Sequence, residues 1–195
     1  ADWVISQLKR KHYQPFFLAC GIYRPHLPWY VLQTYLYLFS ETEIQLPPTL
    51  KGDLKDVPAA GVRNASPQGD RAKVTKHNQW KKAVHGYLAS IAFADEQVGR
   101  VLDTLEKSPH AANPIIVLWT DHGWHLGEKQ HWQKFTAWRA STRVPLIVRV
   151  PKGAPGLPSG TKPAVCVRPV SLLSLAPTLL QLSGLPTHKN HHGPS

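Results

Sequence analysis

Cysteine is almost missing from this sequence. Cys20 and Cys166 lie far apart, so the thiols form neither a metal-binding pair nor a disulfide framework, and they leave the redox compartment open. Long apolar runs are missing too. None approaches the roughly 18 residues of a membrane-spanning helix, so no membrane span is expected. There is no internal repeat, which excludes a solenoid. Methionine is absent, and the opening Ala1-Asp2-Trp3 has no charged, apolar and small-residue leader pattern, so it reads as the interior of a longer chain. Acidic residues are scarce, with 12 Asp and Glu against 23 Lys and Arg.

What remains is a globular composition, 42% hydrophobic with seven tryptophans, in a chain of 195 residues that is long enough for one domain with a core. Eighteen prolines and 13 glycines imply many loops. The net charge of +11 is spread along the chain: 12 basic against 6 acidic residues up to Lys82, and 11 against 6 beyond it. The longest basic block is Lys9-Arg10-Lys11, and no nucleic-acid recognition module is visible, so nucleic-acid binding is not expected. Diffuse positive charge instead concentrates small anions such as a sulfate or phosphate ester.

Periodicity supplies the elements. Residues 2–11 suit a short surface helix ended by Pro15. Residues 16–22 read as a buried strand that runs into Tyr23-Arg24-Pro25-His26-Leu27-Pro28-Trp29, where two prolines stiffen the loop around His26. Residues 40–78 are Pro-rich and polar, and read as a long surface excursion. Trp80, Val84, Tyr87, Ile91, Ala94, Val98, Val101 and Leu105 recur at steps of four and three, which predicts one helix with these residues packed on its inner face. Ser108-Pro109 stops it. Residues 115–119 and 144–150 read as strands, the first buried on both faces. A turn-rich loop follows at 151–156, and residues 171–182 predict a helix closed by Gly184, with Pro177 kinking or restarting it. The three histidines of the tail, residues 188–195, read as solvated. Strands alternating with helices predict an α/β fold, a layered sandwich with a mainly parallel central sheet flanked by helices.

The stretch beyond the strand at 115–119 carries the chemistry. Asp121, His122, His125, Glu128, Lys129, His131 and Lys134 follow within a few residues of one another, with Trp124 and Trp132 among them and Gly123 and Gly127 at the turns. Ligands of open α/β sheets bind beyond the carboxyl ends of strands, so Asp121-His122 is placed where a metal or anion site belongs. Asp121 capping a turn and His122 packing in a loop is the competing reading, as is a loop role for His26.

Several long motifs, in order, resemble the sulfatase family of the alkaline-phosphatase-like superfamily, and within it the iduronate-2-sulfatase-like and choline-sulfatase-like members. They are PFFLACGIYRPHLPWY at 15–30, EIQLPPTL at 43–50, YLASIAFADEQVGRVLDTLE at 87–106, IIVLWTDHGWHLGEKQHWQKF at 115–135, TRVPLIVRVP at 142–151 and VSLLSLAPTLLQLSGLP at 170–186. The resemblance implies an alkaline-phosphatase-like fold and metal-assisted hydrolysis of sulfate esters. It implies one divalent cation, calcium, held in part by Asp121 and His122, with His26 and Lys134 as catalytic, sulfate-contacting residues. Carboxylate oxygen suits a hard cation, Lys134 can neutralise charge on sulfuryl oxygens, and His26 can protonate a leaving alkoxide. Arg24, Trp124, His125 and Trp132 are the candidate substrate-binding residues beside them. The implied substrate is a small sulfated sugar, choline or aryl sulfate, and the implied compartment is periplasmic, secreted or lysosomal.

Two family features are missing. There is no Cys/Ser-x-Pro-x-Arg motif, whose first residue becomes the formylglycine nucleophile: Cys20-Gly21-Ile22-Tyr23-Arg24 has Ile where Pro is required. No two aspartates are adjacent either. Residues 1–195 are therefore expected to be one partial catalytic domain, its later portion, with the nucleophile in a missing N-terminal part and no sulfatase activity of its own. Arg139, Ala140, Ser174 and His192-Gly193 also depart from the family pattern. Two other readings stay open. One is a related phosphodiesterase or phosphonate hydrolase, kept alive by His125 and His131; the other is a non-catalytic, anion-binding remnant.

Overall fold

The computed structural model describes residues 1–194; Ser195, the last residue of the expected tail, lies outside the described residues. The chain divides into two compact units, Ala1–Pro109 with His122–Val144, and His110–Asp121 with Pro145–Ser195.

The first unit is built on one long helix. Its elements in chain order are α1 (Asp2–Leu8), α2 (Gln33–Leu36), α3 (Ala59–Ala65), α4 (Asp70–Lys76) and α5 (Trp80–Glu106), then the strands β2 (His125–Leu126) and β3 (Trp132–Gln133) and the short helix α6 (Arg139–Thr142). Helices α1, α2 and α4 all pack on α5. The predicted apolar stripe is only partly the buried face. Val84 is buried, but Ile91 is 40% exposed, while Ala89, Ser90 and Gln97 are buried in its place. Small residues explain the shift, because they let neighbouring elements approach the helix closely, and the buried polar atoms are satisfied. Ser90 donates to the Gly86 carbonyl at 2.8 Å, and Gln97 Oε1 accepts from Arg100 at 2.6 Å.

The core of this unit is aromatic. Val84, Trp124, Leu126 and Trp132 form its buried centre, with Trp29, Trp80 and Tyr87 packed against them. Trp29 lies edge-on or tilted to Tyr87, Trp124 and Trp132, with ring centroids 5.7, 6.3 and 6.3 Å away. The indole of Trp80 donates to the Leu126 carbonyl at 2.6 Å. Thus α5 fixes the β2–β3 hairpin, and the hairpin carries the stretch predicted to hold the chemistry.

The second unit holds β1 (Ile116–Trp119), β4 (Leu146–Arg149) and, after a 3-10 turn at Leu172–Ser174, α7 (Leu175–Leu182). Ser171 accepts from the Leu173 N–H at 3.2 Å and Gly184 closes the helix at φ 69°, as predicted. Pro177 falls in the first turn of α7, where its missing N–H costs nothing, so the helix restarts there.

Three strand expectations are not met among the described residues. The mainly parallel sheet is not formed among the described residues: β1 pairs with β4 antiparallel, and β2 with β3 likewise. Parallel strands need a crossover long enough to cover the sheet, and between β1 and β4 the longest helix is the four-residue α6. Nor is β1 buried on both faces, since Leu118 and Trp119 are 39% and 47% exposed. Residues 16–22 form no strand, and Phe17 is 84% exposed. A strand exists through its ladder, and no other segment among the described residues pairs with this one.

The expected surface excursion at 40–78 is also more than that. It contains α3 and α4, and it grips the loop that follows β2. Asp53 pairs with Lys129 at 2.6 Å, the Ala65 carbonyl accepts from His131 at 2.7 Å, and Asp70 accepts from Gln133 at 2.6 Å. The Asp53 carboxylate holds the Lys129 ammonium above the ordinary lysine range.

Two predictions follow from this packing. Gly127 has φ 133°, and a Cβ there would fall on the Trp80 indole. Gly127→Ala is therefore expected to lower stability by about 1–3 kcal/mol in urea unfolding. Gly21→Ala, with open space around it, should stay within about 0.5 kcal/mol. The second concerns His125, which is fully buried and whose burial pushes its imidazole below the ordinary value of 6.5. The folded state therefore binds fewer protons than the unfolded chain as pH falls through 6.5, so stability present above that pH is lost on acidification. The melting temperature should drop between about pH 7.5 and about pH 5, and His125→Asn should show a smaller drop; an equal drop in the variant would contradict this.

Candidate functional site

The loop after residue 22 is shaped by its own polar groups. Arg24 donates to the Tyr30 carbonyl at 2.8 Å through Nη2 and to the His26 carbonyl at 3.4 Å through Nη1, so the guanidinium clasps both ends of the turn. Trp29 donates to the Pro25 carbonyl at 2.8 Å. The peptide bonds preceding Pro25 and Pro28 are cis. Between these ties His26 is held half-buried, its Nδ1 donating to the Leu27 carbonyl at 2.8 Å.

That bond sets the chemistry of the other nitrogen. With hydrogen on Nδ1 alone, the ring offers Nε2 as an acceptor, and Lys134 Nζ lies 2.7 Å from it. An ammonium donating to a neutral imidazole satisfies both groups; two cations in that geometry would repel. Residues 108 positions apart thus meet in one contact, at the predicted catalytic pair.

Aromatic rings complete the surroundings. The His26 ring lies 5.3 Å from Trp124 and 6.1 Å from His122, centroid to centroid. Lys134 Nζ sits 5.8 Å from the Trp124 ring centre and 5.6 Å from that of Phe135. The Trp124 Nε1–H is buried and has no acceptor among the described residues. An unmet buried donor costs about 1–3 kcal/mol, and a donor beside an ammonium suits an anion.

The candidate metal pair is placed less favourably. His122 donates from Nδ1 to the Gly123 carbonyl at 2.8 Å and stands in the first unit beside His26. Asp121 is exposed and ends a segment of the second unit. Among the described residues no three His, Cys, Asp or Glu side chains converge to hold a metal ion. Two consecutive residues cannot supply the about six to eight oxygens that calcium takes, so the residues present do not by themselves fit the ion.

The four candidate substrate-binding residues separate into two pairs. Arg24 and Trp124 belong to the His26–Lys134 neighbourhood. His125 and Trp132 lie in the core, 0% and 6% exposed. His125 is tied through Nδ1 to the Glu128 carbonyl at 3.2 Å and through Nε2 to the Thr136 hydroxyl at 3.0 Å. Cys20 and Cys166 are both exposed thiols. Sequence reasoning missed Trp29, which joins the His26 loop to the core, and it singled out His131 without its role here, a ring bond to the Lys134 carbonyl at 2.6 Å. For Trp29 the signal was present, in its place directly after the His26 loop.

Comparison with known proteins gives the chain's family. A family model described as Sulfatase matches residues 1–185. A sulfatase of Formosa agariphila is 41% identical over 100% of this chain and 37% of its own length. The iduronate 2-sulfatase of Mus musculus is 31% identical over 88% of the chain and 36% of its own length. Among solved structures, a phosphonate monoester hydrolase from Silicibacter pomeroyi superposes with a TM-score of 0.71 at 26% identity, covering 88% of this chain and 34% of its own. The neighbours have the alkaline-phosphatase-like fold. The chain spans little more than a third of the length of the curated relatives it matches. It belongs to the sulfatase family.

Proposed function

We infer that the protein carrying this chain is a sulfuric-ester hydrolase, and that this chain supplies the part of its site that binds the sulfuryl group and handles the leaving group's proton. The contact between Lys134 Nζ and His26 Nε2 carries the reading. Lys134 supplies a fixed positive charge for the sulfuryl oxygens, worth most where charge builds up during reaction. An incoming anion draws Nζ–H away from His26 and leaves Nε2 available. Once protonated there, His26 is a general acid for the departing alkoxide, and Leu27 keeps the ring in the orientation that aims Nε2 at Lys134. Trp124 adds a buried N–H donor close by.

The remaining parts are supported only by family membership. A formylglycine nucleophile belongs to the longer protein, because Cys20 lacks the maturation motif. A divalent cation, calcium, reaching Asp121 and His122 would take its other ligands from outside this chain. Residues 1–195 are then a portion of one catalytic domain, working in a periplasmic, secreted or lysosomal compartment. The substrates suggested by the relatives' names are sulfate esters such as a sulfated uronic sugar; choline and aryl sulfates are chemically equivalent at the sulfuryl group. The likeness to a phosphonate monoester hydrolase supports a second reading, in which the same pair binds a phosphonate ester.

In the full-length protein, His26→Ala and Lys134→Ala are each expected to lower kcat/KM for an aryl sulfate by about 100-fold or more. His188→Ala, in an exposed terminal stretch, should leave it unchanged. Near-normal turnover in both site variants would remove the assignment. Faster cleavage of an aryl phosphonate monoester than of the aryl sulfate would favour the second reading. The 195 residues alone should cleave neither, because they hold no activated nucleophile.

A further inference from the structure

Lys134 sits where the backbone is under most constraint. Of the non-glycine residues with positive φ, Lys129 (53°), Gln130 (51°), Gln133 (76°) and Phe135 (72°) all lie within five residues of it. Side chains with a Cβ disfavour this conformation, and such residues persist only where neighbouring structure holds them. A lysine between two of them keeps its aim only if the loop is tied down.

The tie is His131. It is 7% exposed, and its two ring nitrogens face two backbone carbonyl oxygens: Nδ1 is 2.7 Å from that of Ala65, at the end of α3, and Nε2 is 2.6 Å from that of Lys134. A carbonyl oxygen only accepts hydrogen bonds. Both contacts are hydrogen bonds only when both nitrogens carry hydrogen, the imidazolium form; with one bare nitrogen, a lone pair would face a carbonyl oxygen. His125, 5.0 Å away between centroids, is bonded to the Thr136 hydroxyl and the Glu128 carbonyl, and burial keeps it neutral. Glu128 accepts the His131 backbone N–H on its carbonyl at 3.0 Å, and its carboxylate accepts from the Leu126 N–H at 2.8 Å. The Gln133–Asp70 bond at 2.6 Å ties the same loop to α4.

We propose that His131 is a positioning residue: as a buried imidazolium bridging the Ala65 and Lys134 carbonyls, it fixes the backbone from which Lys134 reaches His26. The proposal rests on the reading of Lys134 as the sulfuryl-binding group. It differs from a packing role in requiring two ring hydrogens and in acting on His26 through Lys134.

The test uses the full-length protein, labelled with 15N at histidine, beside His131→Ala, His131→Gln and Lys134→Ala. In the unchanged protein both His131 ring nitrogens should show protonated signals at neutral pH. In Lys134→Ala the His26 Nε2 signal should move, since its donor is gone. His131→Ala should move the His26 signal the same way, with His131→Gln, which keeps one donor, in between. Aryl sulfate turnover should fall by about 10- to 100-fold in His131→Ala, the scale of a small misplacement. A singly protonated His131 ring in the unchanged protein overturns the proposal, and that measurement stands even if His131→Ala fails to fold. A His26 signal in a folded His131→Ala that stays at the unchanged position also overturns it. Absence of sulfatase activity in the unchanged protein counts instead against the functional reading, and it leaves both histidine measurements to decide the positioning role.

Discussion

Lys134 Nζ and His26 Nε2 lie 2.7 Å apart, and an ammonium can donate to that nitrogen only if it carries a lone pair. Much else in the first unit serves that condition. Leu27 takes the Nδ1 hydrogen of His26 and leaves Nε2 as an acceptor, Arg24 clasps the loop that carries the ring, and Trp29 anchors it to the aromatic core. On the other side, the strained loop around Lys134 is tied to α3 and α4. An anion would offer Lys134 a stronger acceptor than a neutral ring does.

The aromatic cluster explains why two distant segments can be placed so closely. Trp29, Trp124 and Trp132 are large, rigid groups with few rotamers, and they meet over α5 near Val84 and Tyr87. Each is next to, or within three residues of, a group that the site uses. Packing the rings therefore helps to fix the positions of His26 and Lys134. The net charge of +11 acts at longer range, raising the local concentration of small anions without choosing among them.

Local patterns were legible in the sequence and partner-dependent ones were not. The 3.6-residue period gave α5 almost to the residue, expected over 80–105 and found over Trp80–Glu106; Gly184 marked the end of the last helix correctly, whereas Ser171 caps the 3-10 turn before it and the helix starts at Leu175. The apolar run at 16–22 misled because an isolated run does not say whether a neighbouring strand exists to pair with it. The sheet direction failed for the same reason. His26 and Lys134 could be singled out from motif resemblance, but their contact needed the fold, since nothing local in either segment specifies the other. Asp53, Ala65 and Asp70 stayed invisible because their roles run through one backbone oxygen and two carboxylates in a Pro-rich stretch, with no periodicity to mark them.

If the Lys134–His26 contact is the resting form of a sulfuryl-binding site, a bound sulfuryl group must break it. A crystal structure of the full-length protein with a non-hydrolysable sulfamate analogue of a sulfate ester would show this. Oxygens of the analogue's sulfuryl group are expected within hydrogen-bond distance of both Lys134 Nζ and His26 Nε2, with the direct bond between those two atoms broken. An analogue bound elsewhere, with the Lys134–His26 bond intact at about its present length, would contradict it.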